Sequence, residues 1–338
     1  MARPTMRDVA GTAGVSVKTV SRVVNGERGV RAETAARVDA AIGHLGFTRN
    51  DLASSLRRGR AGALGLVIED VANPFYSAIA RAVEDAARAH GHILITGSCE
   101  EDPARERQLA LRLLQRLVDA LLIVPAGAEH RYLLPELAAG VPIVFLDRPP
   151  GDVEADTVLL DNLGGTRAGV EHLLRQGHER IAFVGDPSGV RQMSDRYEGF
   201  LEAVGPDRAE VILASNWRVD VGRMAGKQLA ERPPNDRPTA VFCANDLLAI
   251  GVLQELTHHK IAVPEDIAIV GYDDLVWAGA AAVPLSSVRQ PREQLGRAAT
   301  RLVMAEIDEG ARHQHEHVTF QPELIVRDSS DFTPAPTG

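Results

Sequence analysis

The chain has 338 residues, a formal net charge of −9 and only 4% aromatic residues. The length predicts two or three domains with mostly aliphatic cores. It contains no apolar run of about 18 residues that could span a membrane. The N-terminal residues lack the apolar core of a secretory signal, and the two cysteines lack metal-ligand spacing. We therefore expect a cytoplasmic protein in a reducing compartment.

The first 60 residues differ from the rest of the chain in charge. They contain 11 Lys and Arg against 5 Asp and Glu, although the whole chain is acidic. Cations concentrated in one segment of an acidic protein predict a site for nucleic-acid phosphates.

Two short helices are predicted in this basic segment. Thr5 and Asp8 fit a capping box for the first helix. Gly14 predicts its end, because glycine adopts the left-handed conformation at little cost. Ser16 predicts the N-cap of a second helix, Val17–Asn25. The inner face of this helix carries valines: Val20, Val23 and Val24. Its outer face carries Val17, Lys18, Ser21 and Arg22. The pattern is typical of a helix-turn-helix, whose second helix enters the major groove.

A third helix, Ala32–Leu45, and Phe47 are predicted to complete the core of this head. The apolar residues that the helix would contribute are Ala36, Val38, Ala41, Ile42 and Leu45. Residues 49–60 then form a basic hinge whose short helix is marginal in isolation. We therefore predict a DNA-binding head over residues 1–48 and a hinge helix or linker over residues 49–60.

From residue 61 onward, short apolar runs alternate with amphipathic stretches. The predicted strands are Ala63–Ile68, Ile93–Thr96, Ala120–Val124, Ile143–Leu146, Ile181–Val184, Val211–Ala214, Ala240–Cys243 and Ile267–Val270. The predicted helices are one after Pro74, Arg105–Arg116, Asn162–Gln176, Val219–Glu231 and Asn245–Leu256. Such alternation predicts two tandem parallel sheets with helices on both faces.

Residues 61–330 would form this two-lobed domain. We expect the first lobe to take residues 61–161 and 291–320. The second lobe would take residues 162–290 and 321–330. The Pro/Thr-rich residues 331–338 are expected to be a disordered tail.

Open parallel sheets bind ligands at the carboxyl ends of their strands, so two lobes predict a cleft between them. Several polar and aromatic side chains follow the predicted strands: Asp70, Phe75, Asp147, Asn245, Asp246 and Asp273. Arg196 and Trp217 lie in the second lobe. Carboxylates, a guanidinium group and an aromatic ring together suit a polyhydroxylated ligand.

Structural roles for the same residues stay open at this point. Asp161, Asp246 and Asp274 could cap the helices or turns that follow them. Trp217 could be a core residue, and Arg196 could form a surface ion pair.

Three histidines near the C-terminus, His313, His315 and His317, would lie on one face of a strand. Such a set could bind a transition metal. An exposed edge or loop is the favoured interpretation, so we expect no metal and no cofactor.

The chain resembles the lactose-repressor/galactose-repressor (LacI/GalR) family of bacterial transcription regulators. The stretches that carry the resemblance are RDVAGTAGVSVKTVSRVVNG, NDLASSLRRGR, NPFYSAI, VDALLIVP, DNLGGTRAGVEHLLRQGHERIAFVG, RYEGF, AVFCANDLLAIGVL, GYDD and ELIVRDSS. They span nearly the whole chain in the expected order. The resemblance implies an all-α helix-turn-helix head with a hinge helix, followed by an α/β core of the periplasmic-binding-protein type. That core has two tandem doubly wound parallel-sheet lobes.

The resemblance also implies a homodimer that binds near-palindromic double-stranded operator DNA. The residues implied to contact DNA are Thr5, Ser16, Val17, Lys18, Thr19, Ser21, Arg22, Asn25, Thr34, Asn50, Ala53, Leu56 and Arg57. Arg22 suits a guanine and Val17 a thymine methyl group. Leu56 would wedge open a central base step.

A small, sugar-like effector in the cleft would control operator affinity. The residues implied to contact it are Phe75, Tyr76, Asp147, Arg196, Trp217, Asn245 and Asp273. Val124 stands where the lactose repressor carries an amide, which argues against a lactose-like sugar.

Two other functions are compatible with tandem α/β lobes. A transport-type solute-binding protein has such a cleft, but the basic head argues against it. A carbohydrate-active enzyme could use Asp70, Asp147 and Asp273 as paired acids, but no nucleophile elbow, zinc motif or P-loop supports this. The sequence therefore predicts a transcriptional regulator, a repressor rather than an enzyme.

Overall fold

The computed structural model describes residues 4–27, 29–47, 61–115, 118–188 and 190–331. The predicted hinge, residues 49–60, and residues 332–338 of the predicted tail lie outside the described residues. The chain divides into two compact units between Ala61 and Gly62. Among the described helices, none has the length and apolar character needed to cross a bilayer.

The N-terminal unit contains three helices: α1 (Met6–Ala13), α2 (Val17–Val24) and α3 (Ala32–Leu45). The Thr5 backbone N–H donates to the Asp8 carboxylate at 2.7 Å, and the Thr5 hydroxyl accepts in return from the Asp8 backbone. Gly14 ends α1 with φ of 63°. The Ser16 hydroxyl accepts from the Thr19 backbone N–H at 3.1 Å and caps α2. The helix-turn-helix prediction is confirmed.

The core of this unit is small and aliphatic. Val9, Val20 and Val38 are fully buried, and Phe47 closes the cluster. Val23 and Val24 are only partly buried. The prediction of Ala36 as a core residue is wrong, since it is exposed.

The C-terminal unit contains twelve described strands and nine described α-helices. The strands are β1 (Ala63–Ile68), β2 (Ile93–Ser98), β3 (Ala120–Ile123), β4 (Ile143–Leu146), β5 (Asp156–Leu160), β6 (Ile181–Gly185), β7 (Glu210–Leu213), β8 (Ala240–Cys243), β9 (Ala268–Asp273), β10 (Ser286–Arg289), β11 (His317–Phe320) and β12 (Glu323–Ile325). The helices are α4 (Pro74–Ala89), α5 (Pro103–Gln115), α6 (Leu134–Ala138), α7 (Asn162–Arg175), α8 (Arg191–Val204), α9 (Val219–Ala230), α10 (Asp246–His258), α11 (Val276–Ala280) and α12 (Arg292–Glu309).

These strands form two six-stranded sheets. The sheet of lobe 1 has the order β11-β5-β4-β3-β1-β2, and the sheet of lobe 2 has the order β12-β10-β9-β8-β6-β7. All neighbouring strands are parallel except β12, which runs antiparallel to β10. The central strands β1, β3, β4 and β8 are buried along their whole length. This burial explains their continuous apolar sequences, which are typical of a sheet covered on both faces.

A glycine allows two helices of lobe 2 to approach closely. A Cβ atom added to Gly199 on α8 would lie 2.3 Å from the backbone oxygen of Leu163 on α7. Backbone atoms cannot move aside as the end of a flexible side chain can. The added methyl group would therefore force α7 and α8 apart.

We expect Gly199→Ala to lower the free energy of unfolding by about 1–3 kcal/mol, because the added methyl group overpacks the contact between α7 and α8. Urea denaturation of the purified protein measures this change. Gly279→Ala on α11 is the matched control, since the nearest atom lies 3.8 Å from its added Cβ. Equal effects of the two substitutions would contradict the steric explanation.

Candidate functional site

The lobe 1 wall of the cleft is built around Asp147, which directly follows β4. Its backbone has φ of 65°, in the left-handed region that is costly for residues with a side chain. Tyr76, in the first turn of α4, donates from its hydroxyl to Asp147 Oδ2 at 3.2 Å. Burial raises the pKa of the Asp147 carboxyl group. Backbone strain together with a buried carboxylate is typical of a functional site.

Arg148, which was not predicted from the sequence, balances the negative charge on this wall. Its guanidinium group lies 3.4 Å from Glu69 and 3.2 Å from Glu101. It also donates to the Tyr76 hydroxyl at 3.3 Å. Burial raises the pKa of Glu69 to about 7, and the charge of Glu101 adds to this shift while Arg148 opposes it. Arg148 follows Asp147 directly, but no sequence pattern distinguishes such a buried arginine from a solvated one.

Arg196 on α8 is the centre of the lobe 2 wall. Its Nε donates to Asn162 Oδ1 at 3.0 Å, and its Nη1 donates to the backbone oxygen of Ala244. The guanidinium carbon lies 3.7 Å from the ring centroid of Tyr272 and 5.7 Å from that of Trp217. Arg196 is only 3% exposed, which excludes the alternative of a surface ion pair.

Asp273, the last residue of β9, faces the same arginine. Its Oδ1 lies 3.9 Å from Arg196 Nη2 and accepts a hydrogen bond from Gln290 Nε2. Its backbone φ is 103°, so Asp273, like Asp147, has a positive φ that is costly for a residue with a side chain. Burial raises the pKa of Asp273 to about 6, although Arg196 and Gln290 act to lower it. The charge of this carboxylate is therefore compensated incompletely within the protein.

Gln192 connects the two walls. It lies on α8, and its Nε2 donates to Asp147 Oδ2 across the cleft. It was not predicted, although a residue four positions before Arg196 shares its helix face. Tyr272 and Gln290 were also missed; Gln290 follows β10, a strand that was not predicted.

Several buried polar atoms of these two walls have no hydrogen-bond partner among the described residues. They are Asp147 Oδ1, Arg148 Nε, Gln192 Oε1, Tyr272 Oη and Gln290 Oε1. A buried polar atom without a partner costs about 1–3 kcal/mol. Their concentration here indicates a site for a polar molecule with several hydrogen-bonding groups.

Three other predicted effector contacts have structural partners. Asn245 Oδ1 accepts from the Leu248 backbone at 2.9 Å and caps α10, and its Nδ2 donates to the Trp217 backbone oxygen at 3.2 Å. Trp217 packs on the lobe 2 core as well as over Arg196. Phe75 belongs to the lobe 1 core, with its ring 5.0 Å from the ring of Tyr76. Direct contact of these three residues with an effector stays a prediction.

The remaining acidic residues have distinct structural roles. Asp161 caps α7, as one prediction held. Asp246 does not cap the helix that it begins, because Asn245 does; it accepts from a serine hydroxyl and a backbone N–H of neighbouring segments instead. Asp274 forms ion pairs with two arginines rather than a cap. Asp70 accepts from a backbone N–H within its own turn.

In the N-terminal unit, the outer face of α2 presents Val17 and Lys18 to solvent. Arg22 on the same helix lies 3.5 Å from Glu27. The other described residues of the predicted DNA contact surface are polar: Thr5, Ser16, Thr19, Ser21, Asn25 and Thr34. Asn50, Ala53, Leu56 and Arg57 lie outside the described residues.

The three histidines do not lie on one strand face. Only His317 is in β11, where its Nδ1 lies 2.8 Å from the Thr157 hydroxyl. His313 and His315 precede the strand and face Asp156. The sequence favours an exposed edge or loop; His313 lies in a loop, but its side chain is only 4% exposed, so the prediction of its exposure is wrong.

A helix-turn-helix head joined to a two-lobed α/β unit with a polar cleft defines a class of protein, the effector-responsive transcription regulators. Family profiles agree with this assignment. Residues 5–50 match the bacterial regulatory proteins of the lacI family, and residues 170–330 match the periplasmic binding protein-like domain.

Relatives extend the match to the whole chain. It is 34% identical to the ribose operon repressor of Escherichia coli K12, over 96% of this chain and 99% of that protein. The crystal structure of the lac repressor dimer bound to operator and the anti-inducer ONPF superposes with a TM-score of 0.84, at 26% identity, over 97% of this chain and 99% of that one. The CelR–cellobiose complex is 32% identical with a TM-score of 0.69, over 97% of this chain and 100% of that one. The chain belongs to the LacI family of bacterial transcription regulators. The named relatives are regulators, not enzymes.

Proposed function

We propose that the protein is a repressor whose operator affinity is set by a sugar or sugar derivative bound between Asp147, Arg196 and Asp273. The observation that carries the proposal is that Asp147 of lobe 1 and Arg196 and Asp273 of lobe 2 lie around buried polar atoms without partners in the described part of the chain. Both aspartates have a positive backbone φ, and Arg196 is buried. Relatives named for ribose and cellobiose support a sugar-like effector.

The chemistry of the two walls supports a polyhydroxylated ligand. Carboxylates accept from sugar hydroxyls, and the guanidinium group donates to hydroxyl oxygens in a fixed fork geometry. Bonds to charged groups are roughly twice as strong as neutral ones. The Tyr272 and Trp217 rings hold the guanidinium group from its face, so the arginine is oriented before a ligand arrives.

A screen of thermal unfolding tests the choice of ligand class. Sugars, sugar acids, polyols and nucleosides would be added separately to the whole protein, with and without operator DNA. A ligand that binds only the folded state, at a free concentration of about 100 times its Kd, stabilises that state by about 2.7 kcal/mol. We expect stabilisation by at least one sugar or sugar derivative; stabilisation by nucleosides alone would contradict the proposal.

For the DNA partner, we propose a homodimer in which residues 1–48 of each subunit bind one half-site of the operator. Residues 49–60 would be the hinge, and residues 61–330 would be the effector-binding and dimerisation domain. Val17, Lys18 and Arg22 would face base edges, and the polar residues of the same surface would position the head on phosphates. Large apolar side chains exposed on both lobes, Ile93, Leu213 and Met224, support a second copy as the partner. Sedimentation of the purified protein tests the dimer.

We expect Arg22→Ala to remove base preference at one or two positions of each half-site, at a cost of about 1–3 kcal/mol. A guanidinium group reads guanine through two acceptors, whereas an alanine side chain has no hydrogen-bond donor. A gel-shift titration against half-sites randomised at single positions measures the preference. Arg7→Ala changes an exposed arginine of α1 rather than of α2; it is the control, and it should leave base preference unchanged. Loss of preference with both substitutions would refute the assignment of Arg22.

A further inference from the structure

A second cluster of ligating groups lies away from the cleft, at the opposite edge of the lobe 1 sheet. Asp156 is the first residue of β5, and His313 and His315 immediately precede β11. These two strands are parallel neighbours, with His317 opposite Thr157. The cleft residue Asp147 follows the end of β4, so the cluster lies where the strands begin. The chain also enters β1 at this edge, directly after Gly62.

We propose that Asp156, His313 and His315 bind a divalent transition-metal ion. One ligand atom from each residue lies within 4.8 Å of the others. His313 Nε2 is 2.8 Å from Asp156 Oδ2, and His315 Nδ1 is 3.8 Å from Asp156 Oδ1. Two ligand atoms on a tetrahedral Zn²⁺ ion lie about 3.3 Å apart. Because the present separations are within 4.8 Å, shifts of up to about 1.5 Å complete the set.

A second acidic residue holds His313 in the orientation that a metal ligand needs. Glu309 on α12 lies with Oε2 3.2 Å from His313 Nδ1. Metal-binding histidines commonly donate their second ring N–H to a carboxylate in this way. When Nδ1 of a neutral His313 donates to Glu309, the lone pair of Nε2 faces a carboxylate oxygen at 2.8 Å. A metal ion beside these two acceptors would bind both of them.

The charges around the cluster are suited to a bound cation. Asp156 is completely buried, and a buried carboxylate needs compensation. Glu306 on α12 adds a carboxylate oxygen, Oε2, that is buried and has no partner among the described residues. Asp156 and Glu309 both contact His313, and the Glu316 backbone N–H donates to Asp156 Oδ1 at 2.6 Å. Negative charge is therefore concentrated around the imidazole beside which a cation would bind.

The ligand types define the class of ion. Two imidazoles and one carboxylate suit Zn²⁺, Ni²⁺, Co²⁺ or Fe²⁺, whereas Mg²⁺ and Ca²⁺ prefer oxygen ligands only. An ion at this place would link the start of β5 to the segment before β11.

Calorimetric titration of the whole, chelator-treated protein with Zn²⁺ tests the proposal, with Mg²⁺ as the control ion. We expect one Zn²⁺ per chain, a raised unfolding temperature, and no response to Mg²⁺. Glu309→Gln should weaken Zn²⁺ binding about 10–100-fold, and His313→Asn or His315→Asn should weaken it at least as much. Co²⁺ in place of Zn²⁺ should give the visible absorption of an imidazole-ligated ion, and His315→Asn should change that spectrum.

Matched controls separate this site from adventitious surface binding. His259→Asn alters another histidine beside a carboxylate, Glu255, and His317→Asn alters a histidine of the same segment that contacts Thr157 instead. Both should retain Zn²⁺ affinity. His315 is 35% exposed, so its substitution should leave the metal-free fold intact, as far-UV circular dichroism will show. Zn²⁺ affinity that survives in His315→Asn, or that disappears in His259→Asn, would overturn the proposal, as would no binding by the unaltered protein.

Discussion

Arg196→Ala should weaken effector binding by about 100-fold or more while leaving operator affinity of the effector-free protein near its normal value. A hydrogen bond to a charged group contributes about 1.5–3 kcal/mol, and about 2.7 kcal/mol corresponds to 100-fold. The substitution removes the donor proposed for the ligand and leaves Asp273 without its nearest cation. Titration calorimetry with a ligand found by the thermal screen measures the affinity, and gel shift measures operator binding.

Two further variants separate ligand recognition from loss of structure. Arg196→Lys keeps a positive charge but loses the planar fork that reaches Asn162 and Ala244 together. Arg196→Lys should therefore destabilise the fold less than Arg196→Ala does, while still weakening effector binding. Arg167→Ala removes an exposed arginine of α7 that pairs with Glu202 on α8, so it should change neither property. Full effector affinity in Arg196→Ala would end the assignment of this arginine to the cleft.

The sequence was most informative where local chemistry alone decides the structure. Thr5, Asp8, Gly14 and Ser16 specify helix boundaries through bonds within a few residues, and the structure has those boundaries. The buried central strands were equally clear, because β1, β3 and β4 are continuous apolar runs.

Elements that depend on distant partners were missed. β10 has the sequence SSVR, and its two serines are buried because they bond to Asp246 and to the C-terminal segment. α8 begins without a side-chain cap, and α12 follows a proline without one, so neither has a local start signal. Such elements are stabilised by tertiary contacts rather than by their own propensity.

The same division applies to the candidate site. Asp147, Arg196 and Asp273 could be selected because they follow strands or match a family motif. Gln290 and Arg148 could not, since their roles depend on which strand ends lie together. The pairing of His313 with Asp156 spans 157 residues and has no local signal.

Asp273→Asn should stabilise the effector-free protein at neutral pH and change how its stability depends on pH. Burial raises the pKa of this carboxyl group from 3.8 to about 6, against the opposing influence of Arg196. Between these two values the folded protein holds a proton that the unfolded chain has lost. The free energy of unfolding therefore falls as the pH rises from about 3.8 to about 6. Above about pH 6 this carboxyl group no longer changes the free energy of unfolding. A shift of about two units corresponds to roughly 3 kcal/mol, an upper value for the gain at pH 7.

Denaturant titrations of both proteins at intervals from pH 4 to pH 8 measure the difference. The two stability curves should converge near pH 4 and separate up to pH 6, after which the gap should stay constant. Glu69→Gln is a useful comparison, because burial raises the pKa of Glu69 to about 7 and its effect should continue to grow up to that pH. Asp273→Asn should also weaken effector binding, since the substitution removes the acceptor charge. Stability that is unchanged at every pH would show that Arg196 already compensates the Asp273 charge in full, and the cleft would then lack the uncompensated carboxylate on which the sugar proposal depends.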